Sequence, residues 1–541
     1  MDTEIKGNII DVKNQNTYPG IIKIEKGKIT DIKKVEKEFE NYILPGFIDA
    51  HVHIESSMLT PSEFARVAVI HGTVAVVTDP HEITNVLGID GTYYMIDNAL
   101  KVPFKFYFGA PSCVPASYFE TSGAELKPKD VEKLLKNEKI KFLAEMMNYP
   151  GIINNDSEVI EKINSAKKYS KPIDGHAPGL GGKDLQKYVE CGISTDHECF
   201  TLEEGREKIK LGMKVLLREG TGARNFNDLQ QLIEENVDSC MLCSDDKHPN
   251  DLIKGHINLI VKRAIENGID PMKVLKAASI NPISHYDLDV GLLRIGDPAD
   301  FIVVDDLCKL NILNTYINGI EVARKGNTLI SSIKPEIKNN FNIYFKRPSD
   351  FLVKSTSEKI NIIVAIDGQL ITEREIKKPY VTDGNAISDV NRDILKISVV
   401  NRYKNTNPSV GFIKNFGLKK GAIASSVAHD SHNIIVVGVT DEDICKAVNL
   451  LVENKGGLCV VGDGKKTILP LPIAGIISNK KYDWVAKKYE EIEESAKFLG
   501  SNLQAPFMTL SFMALPVIPK LKITDKGLFD SESFKFISLF T

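Results

Sequence analysis

ILPGFIDAHVHIESSM, residues 43–58, begins as a short apolar run and closes on two histidines one residue apart, His51 and His53. Alternate side chains of a strand share a face, so the two imidazoles project together while Val52 turns the other way. Two neutral imidazoles converging from the end of one buried strand suit a divalent metal. A pair of core histidines would give the same pattern, so the rest of the chain has to decide.

Working outward, the chain alternates strand and helix from Leu44 onward. Apolar strand candidates lie at 44–53, 72–79, 104–110, 141–147, 171–176, 193–197, 214–219 and 240–245. Helical segments at 60–71, 127–138, 156–170, 181–191, 201–211 and 226–236 separate them. Alternation of this kind predicts an α/β class with a parallel sheet. Eight such units within 44–290 predict a closed (β/α)8 barrel. An open doubly wound sheet is the alternative, but no GxGxxG follows the first strand. Metal-competent side chains fall where these strands end: His51 and His53 on the first, Glu145 in the fourth, His176 on the fifth, His197 on the sixth and Asp245 on the eighth. Active sites of such barrels are built at that rim.

The segments flanking the barrel read differently. Residues 1–43 and 291–345 are short strands punctuated by turns, and chain ends of a domain often lie close together, so the two join as one small β-sandwich. Residues 346–541 form a further α/β domain, with Asn433–Gly438 as a buried strand.

The chain has 541 residues, 43% of them hydrophobic and 26% charged, with net charge −4. That length calls for two or three domains. The near-balanced charge, without a basic stripe, offers no electrostatic footprint for nucleic acid. No apolar run approaches the length that spans a bilayer, and the N-terminus lacks the apolar core of a secretory signal. Eight scattered cysteines do not make a disulfide framework, and Cys240 and Cys243, in CxxC spacing inside an apolar run, read as buried thiols. These readings place the protein in the cytoplasm, without nucleic-acid or membrane partners.

Several stretches resemble the amidohydrolase superfamily: PGFIDAHVH at 45–53, the later lone histidines, the Asp of the eighth strand, and GLLRIGDPADFIVVD at 291–305. Others resemble the adenine deaminase family within it: HIESSM at 53–58, TDPHEI at 78–83, GHAPGL at 175–180, STDHE at 194–198, LREGTGARN at 217–225, CSDDKHP at 243–249 and SSVAHDSHNIIVVG at 425–438. The last of these is similar to the C-terminal domain peculiar to these deaminases.

The resemblance implies hydrolytic deamination of adenine to hypoxanthine and ammonia, in purine salvage, with a hydroxide activated by two divalent metals. His51, His53 and Asp245 would hold the first metal, His176 and His197 the second, with Glu145 spanning both. Manganese or iron is implied, and zinc also suits this ligand chemistry. Asp245 would carry the proton from water toward the leaving amine, with Asp246 as its alternative. A Glu three residues after the fifth-strand histidine often donates to the ring in this superfamily, but Gly179 stands there. The acid is therefore sought first in Glu55, then in Glu82, with Glu198 and Glu219 as further candidates. His81 is expected to contact the substrate. His429 and His432 could reach over the barrel mouth, while His71, His248, His256 and His285 read as structural or surface residues. A homodimer is the expected assembly. Two other readings stay open: an amidohydrolase that cleaves a cyclic amide or N-acyl bond, and a non-catalytic scaffold on the same fold.

Overall fold

The computed structural model describes residues 3–541. All eight expected barrel strands are present, each close to its predicted place. With the strands numbered along the chain, β1 (Thr3–Asp11), β2 (Asn16–Glu25), β3 (Lys28–Lys34) and β4 (Tyr42–Pro45) precede the barrel. The barrel strands are β5 (Phe47–Val52), β6 (Thr73–Thr78), β7 (Lys105–Ala110), β8 (Ile140–Met146), β9 (Ile173–Gly175), β10 (Thr195–Asp196), β11 (Lys214–Arg218) and β12 (Cys240–Cys243).

Strands β5 to β9 pair in parallel in chain order, as do β10 to β12. The Ser194 N–H donates to the Ile173 carbonyl at 2.9 Å across the gap between β9 and β10, and Asp245 N–H donates to the His51 carbonyl at 2.9 Å between β12 and β5. Buried Asp49 reinforces that second seam, accepting from Ser244 N–H at 3.0 Å and from His256 Nε2 at 2.8 Å. The ring of strands is therefore closed.

One expected strand divides. Residues 44–53 do not run as a single strand: Tyr42–Pro45 pairs with β1 and β13 (Phe301–Val304) outside the barrel, and the barrel begins at Phe47. Gly46 makes the corner because Val74 crowds it, with an added Cβ falling 2.3 Å from Val74 Cγ1. Overpacking of this kind costs about 1–3 kcal/mol. Gly46→Ala is accordingly expected to lower the melting temperature by several degrees, and an unchanged thermal transition would count against this account of the corner.

The flanking segments meet in one continuous sheet of eight strands, in which β1 to β4 are joined by β13, β14 (Ile312–Ile317), β15 (Ile320–Arg324) and β16 (Asn327–Thr328). Alternation divides its side chains. Ile9, Ile22, Ile43 and Phe301 form a cluster on one face, whereas Ile10, Leu44, Ile302 and Val304 pack with the barrel's Val215 and Leu242. Two helices that the sequence reading does not place, α1 (His81–Leu87) and α2 (Ile89–Ala99), follow β6. The first is seven residues long and ends at Gly88, too short for helical periodicity to register.

The C-terminal region builds a second eight-stranded sheet from Ile360 to Pro470. The strand Ile434–Gly438 lies inside it, as predicted, with successive residues pointing to opposite faces. Val436 packs on Ile444, Val448 and Leu451 of the helix Asp441–Asn454. Ile435 and Val437 join Ile48, Val76 and Leu143 of the barrel in a single apolar cluster. The barrel and the C-terminal sheet thus share a core, which brings the loop after strand Ala422–Ser425 to the barrel mouth.

Candidate metal centre

Strand alternation and strand ends deliver the candidate ligands. His51 lies within β5 and His53 follows it, so both imidazoles emerge on the inner side at the same end of the barrel. Glu145 stands near the end of β8, His176 directly follows β9 and His197 directly follows β10. Asp245 sits two residues beyond β12 with φ of 54°, and its backbone bond to His51 anchors that left-handed turn. Side chains far apart in sequence become neighbours because the barrel closes.

The resulting geometry is tight. Nε2 of His51 and Nε2 of His53 lie 3.1 Å apart, and Asp245 Oδ1 lies 3.6 and 3.2 Å from them. Glu145 divides its oxygens: Oε1 lies 3.4 Å from His53 Nε2, while Oε2 lies 2.8 Å from His176 Nδ1 and 3.1 Å from His197 Nε2. The rings of His51 and His197 stack at 4.0 Å, drawing the two groups together. Ligands bound at about 2.0–2.2 Å around one cation are themselves separated by roughly 3–3.5 Å. These donor spacings, and the imidazole–carboxylate chemistry, fit divalent cations.

The surrounding charges are arranged to keep the carboxylates ionised. Burial by itself would raise Glu145, but His176 and His197 outweigh it and hold the carboxyl well below its usual range. Asp245 is likewise lowered against the effect of burial, chiefly by Arg218, whose Nη1 lies 2.5 Å from Asp245 Oδ2. Arg218 also pairs with Glu198. Asp245 therefore turns one oxygen toward the histidines and the other toward a guanidinium.

The remaining candidates separate by environment. Asp246, next to Asp245, turns instead to the Ser56 hydroxyl, which donates to it at 2.5 Å. Glu55 Oε1 accepts from Ile83 N–H at 3.2 Å, and its buried Oε2 has no hydrogen-bond partner. Burial pushes the Glu55 carboxyl up to about 7. Glu82 is buried as well, yet His429, His432 and His81 together hold it well below the usual range. His81 Nδ1 lies 3.0 Å from Asp79 Oδ2 and 3.4 Å from Glu145 Oε1, which places this imidazole beside the centre.

Glu219 turns away to Arg263, at 2.8 Å, and Glu198 is occupied by Arg218. His248 bonds Tyr489 at 2.6 Å and His256 bonds Asp49, so both serve the framework; His429 and His432 do reach the barrel mouth, where they meet Glu82. Cys240 and Cys243 are buried free thiols.

Sequence reasoning overlooked Arg218, Asp79 and Asp430. A usable signal existed for Arg218: a charged residue ending an otherwise apolar strand, the same signal that marked the ligands. The candidate named from sequence, Glu219, lies one residue on, where alternation sends it to the opposite side. Asp430, whose Oδ2 lies 4.0 Å from His81 Nε2, comes from the distant C-terminal domain, and no local pattern could connect the two.

Comparison with known proteins settles the kinship. Residues 42–322 match the amidohydrolase family, and residues 369–535 match the adenine deaminase C-terminal domain. An adenine deaminase of Sulfurovum sp. is 54% identical over 535 residues, covering 99% of both chains. The chain belongs to the adenine deaminase family. Other members of the family are similar over comparable lengths. The adenine deaminase of Methanosarcina barkeri is 54% identical over 545 residues, and that of Borreliella burgdorferi 52% over 542 residues, each alignment covering 99% of both chains. In family terms, divalent metal use is implied by the amidohydrolase barrel, and the buried histidine and carboxylate groups described above are its candidate site. Among the described residues, no helix is long and apolar enough to cross a membrane.

Proposed function

We propose that this chain hydrolyses adenine to hypoxanthine and ammonia at a pair of divalent cations, held by His51, His53 and Asp245 on one side and His176 and His197 on the other, with Glu145 between. The observation that carries this reading is the division of Glu145, one oxygen turned toward His53 and the other toward His176 and His197. Manganese or iron suits the mixed imidazole and carboxylate donors, with zinc as the alternative. When bound, such cations supply Lewis acidity and lower the pKa of water so that a nucleophile exists near neutral pH.

The chain's own groups carry the protons. Asp245, kept ionised by Arg218, accepts a proton and passes it toward the departing amine. Attack at C6 of adenine places electron density on a ring nitrogen, which must be protonated. Glu55 is the leading donor, because its unpartnered oxygen is buried beside the histidine pair and its proton persists to about pH 7. Glu82, held ionised, is the second candidate for proton transfer in the opposite sense, as an acceptor. His81, between Glu82 and Glu145, is assigned to substrate contact.

Purified chain loaded with manganese, iron or zinc is expected to convert adenine to hypoxanthine, read by the ultraviolet shift and ammonia release. Failure to turn over adenine with two cations bound per chain would overturn the reading in favour of another amidohydrolase reaction. Fewer than one cation bound under all three conditions would favour a scaffold. A cytoplasmic role in purine salvage accompanies this proposal, supported by eight free cysteines. The proposed homodimer is tested by sedimentation of the loaded protein.

A further inference from the structure

The loop 428–433 of the C-terminal domain does more than cover the barrel. His429 Nδ1 hydrogen-bonds Glu82 Oε1, and His432 Nε2 lies within ion-pair distance of Glu82 Oε2 without hydrogen-bond geometry, so each carboxylate oxygen faces an imidazole nearly 350 residues away in sequence. The two contacts are set independently. His432 Nδ1 accepts the Ala428 N–H at 3.3 Å, which leaves its Nε2 to carry the proton that faces Glu82. The His429 ring stacks on Phe512 at 4.5 Å, and its backbone N–H donates to the Ser511 carbonyl at 3.1 Å. The loop itself is tied down, with Tyr403 Oη donating to the Ser431 carbonyl at 2.6 Å and Asn433 Nδ2 donating to the barrel's Thr121 carbonyl at 2.8 Å. All these side chains are buried, apart from the partly covered barrel loop. The same Glu82 Oε1 lies 3.5 Å from His81 Nε2, and His81 in turn touches Glu145.

We propose that His429 and His432 are positioning residues of the catalytic site: the C-terminal domain supplies the two groups that fix the Glu82 carboxylate against His81, so the barrel is catalytically incomplete without this loop. This rests on the functional reading above. A carboxylate hydrogen-bonded at one oxygen could still rotate about its terminal bond, and the imidazole packed against the other oxygen narrows that rotation. The histidines act through Glu82 and have no contact with the proposed cation ligands among the interactions described, so their replacement bears on turnover more than on metal loading.

The test is a double-mutant cycle on the metal-loaded full chain, with adenine as substrate and metal content and melting temperature measured alongside. His432→Phe and His429→Phe, which remove the N–H donors, are each expected to lower kcat about 10²-fold with a smaller change in KM. His432→Asn and His429→Gln, which restore an N–H, are expected to recover part of that loss. In a Glu82→Gln background, the further loss from His432→Phe is expected to be less than about 3-fold, since groups acting as a unit are not additive. Should the Phe variants fail to fold, the Asn and Gln variants with Glu82→Gln still complete the cycle. Wild-type kcat and KM in the histidine variants, or losses that simply multiply with that of Glu82→Gln, would overturn the positioning role alone. A loaded wild type that leaves adenine unchanged would overturn the functional reading, and this proposal with it.

Discussion

Glu145→Gln is expected to remove bound metal and activity together. The substitution keeps the shape of the side chain but exchanges an anionic oxygen for an NH2 donor, which has no lone pair to offer a cation. Whichever way the amide turns, one of the two histidine groups loses its shared oxygen: His53 on the Oε1 side, or His176 and His197 on the Oε2 side. The variant also leaves a buried cluster of imidazoles without the anion that balances them, and one-sided removal of charge inside a protein is costly. Metal stoichiometry should drop below two per chain, and kcat/KM should fall by roughly 10³-fold or more, equivalent to about 4 kcal/mol. The paired measurements are elemental analysis and the adenine assay. Full metal content in an inactive variant would reassign Glu145 from bridging to proton transfer, while full content with wild-type activity would remove it from the centre.

The second large effect concerns Glu55. Glu55→Gln is expected to leave metal content intact and to slow turnover by about 10²–10⁴-fold, the usual contribution of a positioned acid or base. Only one of its oxygens is engaged, by Ile83 N–H, and the other is buried and unpartnered, so a proton there has nowhere to go within the protein. The pH dependence follows from the direction of the shift. Burial raises the carboxyl to about 7, so the donor form is present below that pH and is lost as pH rises through it. Activity resting on Glu55 as donor should therefore decline on the alkaline side of about 7, and the Gln variant should lack that limb. A variant with wild-type rates would remove the donor role from Glu55, and Glu82, held ionised, does not fit that role in its place.

The two glutamates show what environment adds to residue type. Glu55 and Glu82 look alike in sequence, each following a barrel strand within a motif of the family. In the fold, burial outweighs the single opposing imidazole, His53, at Glu55, whereas Glu82 lies among His81, His429 and His432. Their proton affinities are pushed in opposite directions, which separates a donor from an acceptor.

Much of the barrel was legible because local rules govern it. Eight apolar runs separated by amphipathic helices specify parallel strands, since only burial on both faces makes such strands stable. The placing of His51, His53, Glu145, His176, His197 and Asp245 at strand ends needed nothing more than counting along the chain, and the structure gathers all six. The corner at Gly46 was not legible, because the crowding that demands glycine comes from Val74 on a neighbouring strand.

By itself, then, the sequence determined the barrel, the six convergent side chains and the family, because each is written in periodicity, strand ends or contiguous motifs. Tertiary structure alone decided that Asp245 rather than Asp246 faces the histidines, that Arg218 rather than Glu219 enters the site, and that His429 and His432 close on Glu82. Those outcomes depend on the direction of single side chains and on contacts between segments hundreds of residues apart, and the shared apolar core of barrel and C-terminal sheet is what brings such segments together.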